Sequence, residues 1–306
     1  MSIFNTFVFW VLLIGLVSCG ESDAIKEVGK VTGFVTDASD GSAISGATVY
    51  VTGFKTLTSV TSESDGSFSI AESPTGNVNI YAEKTNYTTN NTEAIVVRDV
   101  TTSNVAIPLL EETFAANKIA IILSWYSTSD LDSHLLIPID ESTCTTENDR
   151  LTNGDIKFGH IDFANKGSSV DSDPFALLDT DDEDGTGDGS KELAGVETTT
   201  IKYVSGAAKC PGTYKFWVHF YTSNNSESFS DSKAVVNILV NGQTTHTIRL
   251  SQATVENSSG LNWNVLTING GTISIDNTLT TSCYAPAAGD GHADRHCKNS
   301  GTTVNP

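Results

Sequence analysis

The chain has 306 residues, 37 of them Asp or Glu against 17 Lys and Arg, for a formal net charge of −20. That negative charge excludes a nucleic-acid partner, whose phosphates would be repelled where binding needs Lys and Arg. The length accommodates two ordinary domains, and the apolar residues, 38% of the total, fall mostly in short alternating runs between Gly, Ser, Thr and Asn turns. This pattern predicts an all-β chain with two β-sandwich domains in tandem and no substantial helix beyond the N-terminal segment.

In chain order, the first feature is an uninterrupted apolar stretch from Phe7 to Val17. It has the length of a signal-peptide core and falls short of the roughly 20 residues a transmembrane helix needs. No Lys or Arg precedes it, which departs from the usual signal pattern. Its end, Leu16-Val17-Ser18-Cys19-Gly20, resembles the lipobox of bacterial lipoproteins. The resemblance implies that residues 1–18 are a cleaved signal peptide and that Cys19 is acylated as the mature N-terminus. Residues 19–29 then form a polar tether. Two or more acyl chains on one residue anchor a protein stably, so the expected location is the cell envelope, lipid-anchored at the outer membrane or cell surface.

Four further cysteines, Cys144, Cys210, Cys283 and Cys297, are an even set in an oxidising compartment, where two disulfides are expected. Of the three pairings, Cys283–Cys297, closing a Gly-rich tail at 277–306, and Cys144–Cys210 are preferred. Zinc, with His292 and His296 beside Cys297, is the alternative.

From Lys30 the pattern is strand, turn, strand. Val31, Gly33 and Val35 alternate with Thr32, Phe34 and Thr36, and Ala47, Val49 and Val51 resume the alternation after turn formers between Asp37 and Gly46. Further short strands are expected at 65–70, 78–82, 95–97 and 105–109, giving a sandwich of the seven-strand type. Gly33-Phe34-Val35-Thr36-Asp37, Ile44-Ser45-Gly46-Ala47-Thr48-Val49 and Ser64-Asp65-Gly66-Ser67-Phe68 resemble the carboxypeptidase regulatory-like domain, a transthyretin-like sandwich, over residues 30–111. Asn86-Tyr87 stands where that family often has Gly-Tyr, and Asn tolerates the positive φ such a turn requires. Such domains are usually spacers or binding modules, and the chain has no His-x-x-Glu pair to begin a peptidase zinc site. Tyr50, Tyr81 and Tyr87 are read as packing on the sandwich, with a sugar-stacking face as the alternative.

Glu111-Glu112-Thr113 reads as a polar hinge, after which Ile119, Ile121, Leu123 and Trp125 share one face of a strand. In Asp130-Leu131-Asp132-Ser133-His134-Leu135, period two places Asp130, Asp132 and His134 on one side. The acidic run at 179–188, with Asp179, Asp181 and Asp182 at its head, concentrates carboxylates whose repulsion an oxygen-seeking cation would relieve. Calcium is the candidate cofactor, with Asp130, Asp132, His134, Asp179, Asp181 and Asp182 as candidate ligands. A merely solvated acidic loop is the alternative reading. In 211–221, Tyr214, Phe216, Val218 and Phe220 form one face, leaving Trp217, His219 and Tyr221 as a candidate aromatic-polar binding face. An Asn241-Gly242 turn joins a hairpin, and a late strand begins at Trp263. Together Asp130 to Leu135, Asn165-Lys166-Gly167, Glu197-Thr198 and Val218-His219 resemble the YfaP-like family of domains of unknown function, over 117–276. That family brings no established chemistry.

The leading functional expectation is a noncatalytic surface lipoprotein, a binding or adhesion module for an envelope glycan or protein, tethered to the membrane by its lipid. The alternatives are a metal-dependent hydrolase using Asp130, Asp132, His134, His160, Asp162 and His219 around a metal-bound water, and a structural spacer.

Overall fold

A computed structural model of the chain describes residues 27–125, 129–136, 160–161, 176–180, 195–204, 206–208, 212–223, 228–256 and 260–281. The expected all-β architecture is present. No helix among the described residues is long and apolar enough to cross a membrane.

The first sandwich contains β1 (Val28–Asp37), β2 (Thr48–Val51), β3 (Val60–Thr61), β4 (Ser67–Pro74), β5 (Gly76–Glu83), β6 (Asn90–Val96) and β7 (Thr101–Leu109). They form one sheet in the order β4-β1-β7 and a second in the order β3-β2-β5-β6. β1 is central in its sheet, antiparallel to β4 and parallel to β7. The alternation read from the sequence explains the core: Val31, Val35, Val49, Val51, Phe68, Ile70, Ile80 and Ile107 all point between the sheets and are buried. Asn86 adopts φ 70°, which fits the turn assigned to it. Tyr87 then reaches back, its hydroxyl donating to Asp37 Oδ2 at 3.2 Å. Tyr50 and Tyr81 stack as a cross-strand pair, with centroids 5.8 Å apart.

One turn of helix, α1 (Lys55–Thr58), interrupts the first sandwich, and a second, α2 (Glu112–Ala115), leads out of it. The expected polar hinge is in fact a packed joint. Glu111, Glu112 and Thr113 face solvent, but Leu110 and Ala115 on either side are buried. They join Ala38, Ala120, Ile122, Val196 and Leu239 in an apolar cluster that binds the two sandwiches together. Around it, Thr198 Oγ1 donates to the Ala38 carbonyl, and Arg249 pairs with Glu93 at 2.8 Å.

The second sandwich contains β8 (Lys118–Ser124), β9 (Ser129–Leu136), β10 (His160–Ile161), β11 (Ala176–Thr180), β12 (Val196–Val204), β13 (Ala207–Ala208), β14 (Thr213–Ser223), β15 (Val235–Val240), β16 (Gln243–Arg249), β17 (Thr254–Val255), β18 (Asn262–Asn269) and β19 (Thr272–Thr280). One sheet runs β11-β12-β8-β15-β16 and the other β10-β9-β14-β18-β19-β17. Asn241 and Gly242, with φ 51° and 77°, make the tight turn between β15 and β16, as the Asn-Gly pair predicts. Ile119, Ile121, Leu123 and Trp125 face Tyr214, Phe216, Val218, Trp263, Val265 and Leu266 across the interior. The other face of β8, with Ala120 and Ile122, is buried too, because the first sandwich covers it.

Candidate functional site

β9 and β14 lie side by side near one edge of the second sandwich, antiparallel, with His219 opposite Asp132 and Trp217 opposite His134. Alternation sends Leu131 and Leu135 inward with Phe216, Val218 and Phe220. The intervening positions, Asp132 and His134 on β9 and Trp217 and His219 on β14, therefore share the sheet's other face. Strand pairing thus brings together two pairs of residues that lie far apart in the chain.

His219 Nδ1 stands 3.9 Å from Asp132 Oδ2. One donor atom from each of Asp132, His134 and His219 lies within 4.8 Å of the other two. The two imidazoles are tilted by 57° with centroids 6.2 Å apart. Trp217 stacks on His134 at 5.0 Å and 15°, an apolar wall that limits rotation of that ring. Asp132, His134 and His219 retain only 8%, 0% and 6% of their exposure. Burying two imidazoles and a carboxylate together is costly unless each is hydrogen-bonded, charge-paired or bound to a cation.

Of the other candidate ligands, Asp130 lies on the same strand opposite Thr222 and is partly exposed, outside the three-residue set. Asp179 stands apart, on β11 in the opposite sheet, where its Oδ2 accepts from Thr200 Oγ1 at 2.6 Å. Burial raises its pKa from 3.8 to about 6, against the lowering effects of the Thr200 hydroxyl and the Lys118 ammonium. The sign of its pH dependence follows. Below about pH 4 the carboxyl is protonated whether the chain is folded or not. Between pH 4 and 6 the unfolded chain ionises first, and above 6 the folded state carries the buried charge, so stability is lost as pH rises through this window. Asp179→Asn is expected to add about 2 kcal/mol at pH 7.5 and almost nothing at pH 4, read from urea unfolding at both values.

The candidate face of Trp217, His219 and Tyr221 requires correction, because Trp217 and His219 are 1% and 6% exposed and offer no open stacking surface. The side chains of Tyr221 and His160 lie outside the described residues, as do Asp162, Asp181, Asp182, Cys19, Cys144, Cys210, Cys283 and Cys297. Sequence reasoning also missed the role of Glu197. It is 1% exposed, and its Oε2 accepts the Ser133 N–H at 2.6 Å, linking β12 in one sheet to β9 in the other. The available signal was one Glu in a strand otherwise made of Val, Thr and Ile at its start.

A concavity lies between the sandwiches, a cleft of about 650 Å³. Asn77, Thr102 and Ser103 line it from the first sandwich, and Lys233, Arg249 and Gln252 from the second.

The family model of the carboxypeptidase regulatory-like domain matches residues 30–110. The chain therefore carries that domain as its first sandwich, and the match stops before β8. No curated protein matches the chain. Among solved structures it is similar to two interface mutants of a type II cohesin–X-dockerin complex from Acetivibrio cellulolyticus. One match has 26% identity over 27% of this chain and 56% of that chain, with a TM-score of 0.22. The other has 24% identity over 28% and 60%, with a TM-score of 0.23. A streptococcal ancillary pilin is similar at 8% identity over 69% of this chain and 59% of that chain, with a TM-score of 0.22. The chain thus spans less than two thirds of each of these proteins.

Proposed function

We propose that the protein is a noncatalytic, lipid-anchored binding module of the cell envelope, whose ligand is a glycan held in the cleft between its sandwiches. The cleft carries this reading. Its lining is mixed: apolar side chains such as Ile95, Val105 and Val235 stand beside amides, hydroxyls, the Lys233 ammonium and the Glu93–Arg249 ion pair, polar groups that hydrogen-bond sugar hydroxyls, and the packed joint connects its two walls. Pre-organisation of this kind lowers the ordering cost of binding. The lipobox-like sequence at Cys19 supplies the tether, and a YfaP-like second sandwich fits a surface protein.

A glycan screen with the purified chain tests the assignment. Binding to at least one envelope polysaccharide is expected, and Gln252→Ala with Ser103→Ala should weaken it about tenfold while leaving the melting midpoint unchanged. Binding that survives both substitutions would move the site elsewhere. Labelling with a radioactive fatty acid tests the tether, since Cys19→Ala should abolish incorporation.

A further inference from the structure

We infer that Asp132, His134 and His219 form a binding site for a divalent transition ion of the zinc class. The donor set selects the ion. Calcium takes six to eight oxygen ligands, whereas these residues offer two imidazoles and one carboxylate, a combination that suits zinc and its first-row neighbours. Geometry agrees with this choice. An ion with ligands at about 2.0–2.2 Å in tetrahedral array holds its donors roughly 3.4 Å apart. The Asp132–His219 pair is at 3.9 Å, and all three donors lie within 4.8 Å, so small side-chain rotations close the site.

The site sits on rigid elements. Asp132 and His134 are two apart on β9, and His219 is directly opposite Asp132 on β14, so both strand geometry and register fix the donors. Trp217 stacked on His134 restricts its ring further. A dication also offsets the Asp132 charge in a place where 8% exposure leaves that carboxylate little water. Three protein ligands leave the fourth tetrahedral position to be filled by a water molecule. The inference is independent of the glycan cleft, which lies between the two sandwiches and shares none of these residues.

The test uses the full purified chain, stripped with a chelator and titrated separately with zinc, cobalt, calcium and magnesium. One equivalent of zinc should bind and raise the melting midpoint by several degrees, and cobalt should give the intense visible bands of a tetrahedral complex. Calcium and magnesium at equal concentration should do neither. Asp132→Asn and His219→Gln should each weaken zinc binding about a hundredfold. Should a variant fail to fold, X-ray absorption on the zinc-loaded parent reads the site directly, and a shell of nitrogen and oxygen with two imidazoles is expected. A sulfur ligand, zinc binding undiminished in folded variants, or no zinc bound by the parent would overturn the assignment and leave a hydrogen-bonded polar cluster.

Discussion

Replacing Gly33 by alanine is expected to destabilise the first sandwich by at least about 3 kcal/mol, a large fraction of the stability of a small domain. The cause is space. Gly33 sits in β1, between Phe68 of β4 and Val105 of β7. A Cβ there would stand 2.0 Å from the Val105 carbonyl oxygen and 2.8 Å from the Phe68 ring. The oxygen belongs to a backbone held in the sheet, so relief requires β1 and β7 to separate and lose their hydrogen bonds. Gly46 provides the contrast, with φ 76° and nothing within 4 Å of a Cβ. Gly46→Ala meets only the conformational penalty, about 1 kcal/mol. Urea unfolding, followed by hydrogen exchange in peptides from β1 and β7, separates the cases. Equal costs for the two substitutions would refute the close approach as the source of the effect.

Gly33 also marks what was legible in the sequence. Its motif identified the domain, and alternation placed Val31 and Val35 correctly, because a strand with one face on a core writes that face into every second residue. The same rule found Asp132 and His134 as a pair, since both belong to one strand. Alternation alone could not place the partner of Asp132: His219, grouped with it only in the hydrolase alternative, becomes its neighbour through strand pairing, and nothing local to residue 219 specifies that register. Asp179 is a different case. Its acidic surroundings pointed to solvent or a cation, and tertiary packing half-buries it beside Thr200, a contact its local sequence does not announce. Ala120 and Ile122 lie on the second face of β8, and their burial depends on a separate module docking there. A strand's own pattern identifies apolar residues without naming what covers them.

That docking supports the last prediction, that Leu110→Asp will separate the two sandwiches into independently melting units at a cost of about 4 kcal/mol. Leu110 is fully buried where β7 gives way to α2, among side chains from both sandwiches. A carboxylate there loses its hydration within an apolar cluster, and the joint opens to restore it. The flanking Glu93–Arg249 pair at 2.8 Å and the Lys118 ammonium 3.5 Å from the centroid of the Phe114 ring are then left without the close packing that aligns them. Three of the four tryptophans, Trp125, Trp217 and Trp263, are buried in the second sandwich, so their fluorescence reports mainly its unfolding. Far-UV circular dichroism reports both. In the parent the two signals should change together, as one cooperative unit. In Leu110→Asp they should diverge by several degrees, with the first sandwich melting earlier because it has the smaller core. Leu57, 80% exposed, is the control, and Leu57→Asp should leave both curves in place. Coincident curves at the parental midpoint in Leu110→Asp would mean that the apolar joint does not couple the modules. The cleft proposed to hold a glycan would then have walls free to move, and its affinity should not depend on residue 110.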